Sequence, residues 1–511
     1  MTVVRSFYDV VVVGGSLGAL AAGALLARRG FRVAWIRHTD KLNGYTHDGI
    51  TLRRAPESLP VVDTPAFRRV CAELALTPLV RRRTRVPDPL YQVALPNHRI
   101  DVRAGSEALL TELEREFPEL RRPMEAFYSG LARDMVELDT LFGADRVWPA
   151  DGFFERRAVL RAASRIAAIR ATDADPFAEF PAHHPFRSFV QAQSRFATAV
   201  DPDHPNALRT LRGHGSAIRG AAFFEGGRDA LARMLEEKIV QHGGDVHPRE
   251  LAARIVIDRG GVKGVDLLHA DERIGCAFVL TSLDLASAYR LGEHSAGRAA
   301  SEALLTREAR YFRYTLNAVL APGGIPAGMA SRVFHVLDSH RPLSEENLLA
   351  IESAGPEPDG RHVLTVQALL PRASVEEGES YLAKQRERVL SALRRLIPFL
   401  DRNLRIVDSP HDGLALEDIA RREPAWPENR RREPIEPMAV IERADRDGLL
   451  GICSAPARTE VTNLLVLGSQ VVPGLGEEGE WLAALSAARI VTRTDRSKEK
   501  LRRELWSKVD V

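Results

Sequence analysis

The sequence predicts an α/β protein, and two observations carry the prediction. The first is Val10-Val11-Val12-Val13 running into Gly14-Gly15-Ser16-Leu17-Gly18-Ala19, then an alanine-rich helical stretch ending at Gly30, then a second strand over 32–36. Four consecutive β-branched residues read as a strand buried on both faces, as in a parallel sheet. The second is the return of that pattern at Asn463-Leu464-Leu465-Val466-Leu467-Gly468, followed by a glycine-rich turn and a helical run through Ile490. A compact β-α-β unit at one end and a strand-turn-helix at the other predict a doubly wound sheet built from both chain ends, with a second domain inserted between them.

Length and composition bound the rest. A chain of 511 residues implies two to four domains or subdomains. Lys and Arg total 71 against 69 Asp and Glu, a formal net charge of +2, so no polyanion such as nucleic acid is called for. Cys71, Cys276 and Cys453 are odd in number and far apart, which fits a reducing compartment and excludes a disulfide framework. No basic lead-in with an apolar run and cleavage site opens the chain, and no stretch approaches the roughly 18 to 20 uncharged apolar residues that span a bilayer. The expectation is a cytoplasmic protein with a possible peripheral membrane contact; the oligomeric state is left open.

Between the two ends, apolar residues recur at helical spacing over 105–142, as two helices broken near Pro123. Residues 151–200 begin helical and turn loop-like, with Pro176, Pro181 and Pro185 cutting the pattern. Glu225-Gly226-Gly227-Arg228 leads into a helix over about 229–242, which Gly243-Gly244 ends. Residues 254–265 read as a hairpin and 277–281 as a short buried strand. Runs at 314–320, 332–337, 347–352 and 362–370 suggest a mostly antiparallel sheet, followed by a helix over 376–396 and an exposed, charge- and proline-rich loop over 421–446. The expected layout is a Rossmann-like nucleotide-binding domain in three parts (1–104, 216–300 and 446–511). An α+β substrate domain is inserted, helical over 105–215 and sheet-based over 301–445.

The first turn is a damaged nucleotide fingerprint. In G-x-G-x-x-G the glycines make the tight turn, admit a pyrophosphate and allow close helix packing; here those places hold Gly14, Ser16 and Ala19. A helix N-terminus still offers free N–H groups and a favourable dipole, so Gly14, Gly15, Ser16, Gly18 and Ala19 are the candidate anion cradle. The acid that would end the second strand and hold a ribose is Arg37, which lacks an acceptor for hydroxyls. Solvent exposure is its ordinary explanation, and a phosphate of the NADP kind the alternative. Glu477, Glu478 and Glu480 fall at the start of the last helix, where the dipole stabilises acids. His183-His184 and His214 lack metal-ligand spacing, so no metal is expected.

The order of these features resembles the phytoene desaturase and carotenoid oxidoreductase group of flavoproteins, within the class that includes amine oxidases and the Rab GDP-dissociation inhibitors. Four segments carry the resemblance: the N-terminal β-α-β; Glu225 to Leu231 with the hairpin that follows and Thr281-Ser282-Leu283-Asp284; Gly355 to Leu364; and Gly468-Ser469-Gln470-Val471-Val472-Pro473-Gly474-Leu475-Gly476. The resemblance implies FAD along the sheet, its pyrophosphate at the first helix and its ring near the last. It further implies a lipophilic substrate under the antiparallel sheet and hydride transfer to the flavin, so that no catalytic side chain need stand out. On this reading Gly44, Ala252, Gly468, Gly474, Leu475 and Gly476 join the first turn as cofactor-binding residues. The family's Gly-Gly-Arg stretch falls at Asn43-Gly44-Tyr45, where one glycine and no arginine stand. With Ser16, Ala19 and Arg37 this clusters the departures around one ligand, the pattern expected of a divergent flavin subgroup or of a non-catalytic scaffold that has lost FAD. Residues 153–170 add a basic amphipathic helix with two phenylalanines, a candidate membrane-surface contact.

Overall fold

The computed structural model describes residues 4–39, 41–59, 63–150, 152–170, 175–200, 203, 206–292, 309–344, 346–419, 421, 423–427, 435–442, 448–454 and 456–495. Within them the chain is a mixed α/β structure built on two sheets.

The first sheet has seven strands. Val4–Val13 lies between Arg273–Thr281 and Val33–Ile36, parallel to both, with Val10 opposite Phe278 on one side and Val33 on the other. The valines at 10 to 13 are fully buried, as a strand covered on both faces requires. Leu464–Val466, almost two hundred residues further on, joins the same sheet in parallel against Val279–Thr281. The hairpin of Ala252–Asp258 and Gly261–Leu267 continues it on one side, and Asp245–His247 closes the other. The helix Leu17–Arg28 packs against the helices Gly227–Gln241 and Gly476–Thr494. Its alanines and glycines make that possible: a Cβ on Gly18 would stand 2.9 Å from the Glu480 carbonyl oxygen.

The second sheet has ten strands. Ala309–Leu320 and His362–Pro371 run antiparallel at its centre, flanked by Leu348–Pro356 and Arg332–Val336 on one side and Leu404–Asp408 on the other. The helix Glu379–Leu396 buries Leu382, Val389, Leu390 and Leu393 among the apolar side chains of this sheet. Tyr91–Ala94 and Arg99–Val102, which the expected layout assigns to the nucleotide part, pair here through Arg332–Val336.

Several expectations are corrected. The break between the two helices of 105–142 falls at Pro118, where a 3-10 turn separates Ser106–Glu116 from Arg121–Gly143. Pro123 sits in the first turn of the second helix, where its missing N–H costs nothing. Pro185 likewise opens a helix, Pro185–Ala197, and His184 Nδ1 accepts from the Phe186 N–H at 3.1 Å. A proline read as a breaker is there a start signal. Segment 421–446 is not simply an exposed loop: Ala439–Glu442 pairs with Ala309–Arg313, and Glu436 is buried. Residues 422, 428–434 and 443–446 of that segment, and the expected domain boundaries at 300 and 445, lie outside the described residues.

Candidate functional site

The site is assembled from the ends of the buried strands. Gly14 closes the first strand at φ +129°, and a Cβ there would overlap the Ser282 hydroxyl oxygen. Only glycine fits both the angle and the space. Gly468, at φ +91°, abuts the same residue, its Cβ position 3.5 Å from Ser282 Cβ. The first turn, the strand end at Thr281-Ser282 and the terminal glycine motif thus converge on one point.

Gly15 is exposed, while Leu17, Gly18 and Ala19 are buried. Ser16 is the N-cap: its Oγ accepts from the Ala19 N–H at 3.1 Å. That explains the serine, since a glycine there leaves the N–H unpaired. The Gly18 N–H donates to Glu480 Oε2 at 3.4 Å, so a carboxylate stands at the N-terminus of the buried helix. Burial pushes the Glu480 carboxyl pKa up against the pull of Arg228, and neighbouring Glu477 adds to the rise. Arg228 itself pairs with Glu477 at 2.8 Å.

The three acids of the last helix are therefore not a solvated cap. Glu477 binds Arg228, Glu480 binds the Gly18 N–H, and Glu478 makes a two-point pair with buried Arg212 at 2.5 and 2.9 Å. Arg212 also reaches Asp139 at 2.8 Å, and Asp139 reaches Arg219 at 2.7 Å. This is a buried ion network tying helices Arg121–Gly143 and Ala207–Ala217 to the start of Gly476–Thr494.

Other expected cofactor contacts are engaged by the chain itself. Arg37 is neither solvated nor free: it pairs with Glu236 at 2.8 Å, both side chains about 15% exposed, and lies over the Trp35 ring. The N–H groups of Asn43 and Gly44 donate to Asp229 at 3.2 and 3.3 Å. The Ala252 N–H donates to His38 Nδ1 at 3.0 Å, and burial lowers the pKa of that imidazole. Gly474 has its Cβ position 2.6 Å from Ile452 Cα; Gly476, at φ +54°, would overlap the Ala197 carbonyl; Leu475 is buried between them. His184 and His214 of the middle segment are engaged by neighbouring side chains. His184 meets Glu119 at 2.8 Å, and His214, fully buried with Nε2 2.9 Å from the Tyr128 hydroxyl, has its pKa pushed down to about 3. Among the described residues His47, Asp48 and Asp418 cluster, with Arg421 2.6 Å from Asp48 already supplying positive charge.

Sequence reading missed the cavity beside these motifs. It measures about 480 Å³ and lies between the second sheet and the chain around Gly476. Arg228, Glu477 and Glu480 line one side; Arg313, Arg332, Glu352, Gln367 and His411 line the other, with Phe196, Ile351 and Val440 among its apolar walls. Cross-strand register puts Asn317, Thr365, Glu352 and Arg332 opposite one another in turn, and Thr315, Gln367, Ala350 and Phe334 in the next row. Directly opposed residues share a face, so one face of this sheet is polar and buried. The signal was available: Arg313, Thr315 and Asn317 alternate with apolar residues at the period of a strand.

No family model matches the chain. It is 24% identical over 294 residues to the 4,4'-diapophytoene desaturase of a Methylomonas species, covering 53% of each chain. It is 29% identical over 293 residues to the zeta-carotene-forming phytoene desaturase of Myxococcus xanthus, covering 55% of this chain and 54% of that one. The chain resembles the phytoene desaturase-like flavoproteins. It spans about half the length of those two desaturases. The chloroplastic prolycopene isomerase of Arabidopsis thaliana is 23% identical over 510 residues, covering 92% of this chain and 80% of that one. Among solved structures the fold is similar to an oxidoreductase from Methanosarcina mazei (TM-score 0.55, 15% identity, 94% of this chain and 100% of that one). It is equally similar to cyclohexylamine oxidase from Brevibacterium oxydans (TM-score 0.55, 15% identity, 97% and 99%). These likenesses speak for the fold alone.

Proposed function

We propose that this chain is an FAD-dependent oxidoreductase of the desaturase or dehydrogenase type, passing a hydride between a lipophilic substrate and flavin. The observation that carries the reading is the convergence of Gly14 and Gly468 on Ser282, which brings three of the four family segments to the mouth of one buried helix. On this reading the seven-stranded sheet is the core of a nucleotide-binding domain split between both chain ends, and the ten-stranded sheet roofs the substrate. The desaturase relatives favour the enzyme over the scaffold alternative.

The residues fit the group. Glu480 is a stand-in: its carboxylate already accepts from the helix N-terminus where a pyrophosphate would, so the donors there suit an anion. Gly14, Gly15, Ser16, Gly18 and Ala19 would hold the pyrophosphate, and Gly468 and Gly476 would border the ring, while Gly474 and Leu475 are taken up by packing on the chain itself. Gly44 and Ala252 would flank the cofactor with their N–H groups turned to Asp229 and His38. Arg37 is assigned instead to holding helix Gly227–Gln241 through Glu236. When bound, the flavin supplies hydride acceptance; Arg228 and Glu477 neutralise one another beside it. The visible spectrum of the purified protein is the test. A yellow protein with flavin bands is expected, and a colourless one that takes up no added FAD refutes the reading.

A membrane-surface contact is part of the same proposal. Helix Phe153–Ala163 buries Val159 and Ala163 and leaves Phe153 and Phe154 73% and 83% exposed beside Arg156 and Arg157. It ends at Ala163, so the basic amphipathic segment is one short helix followed by Ala167–Arg170. Among the described residues no helix is long and apolar enough to cross a membrane. Sedimentation with anionic vesicles at low salt, lost on Phe153→Ser with Phe154→Ser, is the expected result; no sedimentation of the parent protein removes the contact.

A further inference from the structure

The cavity under the antiparallel sheet contains two arginines to which no acid of the described residues hydrogen-bonds, although Glu352 stands directly across the strands from Arg332. Arg332 is 9% exposed and makes no hydrogen bond or ion pair there; its guanidinium lies 5.1 Å from the centre of the Phe334 ring. Arg313 donates to two backbone carbonyls, those of Phe196 and Thr198, at 3.1 and 2.7 Å. Burial lowers the pKa of both, that of Arg313 to about 10, and the nearby charges of Glu352 and Glu477 partly offset the fall for Arg332.

The acids that share the cavity wall are committed elsewhere. Glu352 accepts from the Glu57 and Ser58 N–H groups and from the Ser58 hydroxyl. Glu436 makes a two-point pair with Arg54, Glu477 pairs with Arg228, and Glu480 accepts from Gly18. A guanidinium withdrawn from water with no acceptor for its N–H groups is unfavourable even where acids stand nearby. A sheet that places two such cations on one cavity wall, beside Phe196, Ile351 and Val440, has the chemistry of an anion subsite at the end of an apolar one.

We propose that the substrate of this site is an apolar chain ending in a carboxylate, held by Arg332 with Arg313 beside it. The inference rests on the reading of the cavity as the substrate side of the site. A planar carboxylate matches the guanidinium fork in two parallel hydrogen bonds. A single negative charge also suits the wall better than a dianion, because Glu352, Glu477 and Glu480 line the same space. A plain hydrocarbon would leave the Arg332 guanidinium buried against it with no hydrogen-bond acceptor.

The test titrates the purified, FAD-supplemented protein with palmitate, hexadecanol, hexadecyl phosphate and hexadecane, read by calorimetry. Palmitate is expected to bind at least tenfold more tightly than hexadecanol. Arg332→Met should remove that preference by weakening palmitate binding at least tenfold, and Arg332→Lys should keep part of it. In Arg332→Met, Glu352 keeps its hydrogen bonds from Glu57 and Ser58, so a melting temperature close to that of the parent is expected, which separates lost recognition from misfolding. Equal affinity for palmitate and hexadecanol, an unaltered preference in Arg332→Met, or tighter binding of hexadecyl phosphate than palmitate overturns the assignment. So does competition between palmitate and FAD, which would put the arginines in the cofactor's place. A protein that binds palmitate selectively but takes up no flavin refutes the oxidoreductase reading and leaves the carboxylate subsite standing.

Discussion

Replacing Glu478 by leucine removes one arm of the network that fixes the start of the last helix, and its cost follows from what remains. Arg212 and Glu478 are 2% and 5% exposed, and the guanidinium gives Glu478 two hydrogen bonds at 2.5 and 2.9 Å. Burial alone would lower the Arg212 pKa; Glu478 and Asp139 outweigh it and hold the group above its ordinary value. Without Glu478 the acid left to the guanidinium among the described residues is Asp139, which Arg219 already shares, beside a weak contact to Met135 Sδ. Breaking a buried pair from one side costs about 3–5 kcal/mol, because the partner stays buried and under-neutralised. With about 2 cal/mol/K of unfolding entropy per residue, a cooperative unit of 511 residues would melt about 3–5 °C lower. The same helix begins at Gly476, and Gly474 packs between Ile452 and Arg209, three residues before Arg212. The variant should therefore also release FAD more readily.

The double variant Glu478→Leu with Arg212→Met is the control. It removes both charges and leaves Asp139 paired with Arg219 at 2.7 Å, so it should recover most of the loss. Thermal melting followed by near-UV dichroism and by flavin release supplies both readouts. A single variant that costs under about 1 kcal/mol, or a double variant as unstable as the single, would refute the assignment of this network as the clamp on the last helix.

Three further outcomes are expected. Ser16→Ala should lose about 1 kcal/mol by freeing the Ala19 N–H, and Ser16→Gly only a few tenths; chemical denaturation of the pair checks the order, and equal losses would mean the hydroxyl is not the cap. Gly476→Ala forces a side chain into φ +54° and onto the Ala197 carbonyl; loss of stability beyond the roughly 1 kcal/mol of the dihedral alone, with loss of flavin absorbance, is expected on melting and spectroscopy. His214, neutral in the fold with its pKa near 3 against an ordinary 6.5, makes the unfolded chain bind the extra proton between those values. Stability should fall as pH drops below 6.5, by up to about 1.4 kcal/mol per pH unit. His214→Gln should flatten that slope, and an unchanged slope would show that His214 does not set it.

The legible part of this protein was its backbone. Four valines before a glycine, and a second apolar run at 464–467, can only be strands covered on both faces, and both fall in one sheet as their pattern requires. Prolines were legible as punctuation but not in sense: Pro118 breaks a helix, while Pro123 and Pro185 sit within the first turn of one, and the difference lies in which N–H the helix does not need. Side-chain partners were not legible at all, because Arg37 meets Glu236 across 199 residues and Arg212 meets Glu478 across 266.

The same limit acted on the site. A glycine tight against protein and one tight against a ligand leave the same letter in the sequence, and Gly474 and Gly476 prove tight against Ile452 and Ala197. Arg37, Ser16 and the missing arginine at 43–45 looked like one defect in one ligand's contacts; in three dimensions each has its own local cause, an ion pair, a cap and an Asp229 turn. What replaces them as the informative departure is the polar face of the second sheet. Arg313, Thr315 and Asn317 alternate inward where an exclusively hydrocarbon substrate would ask for apolar side chains. Thr315 and Asn317 are answered by the chain segment at 53–54. Arg313 and Arg332 open on the cavity with no carboxylate of the described residues hydrogen-bonded to either, Glu352 and Glu477 acting on Arg332 at longer range, and that asymmetry within one face is what a bound carboxylate would resolve.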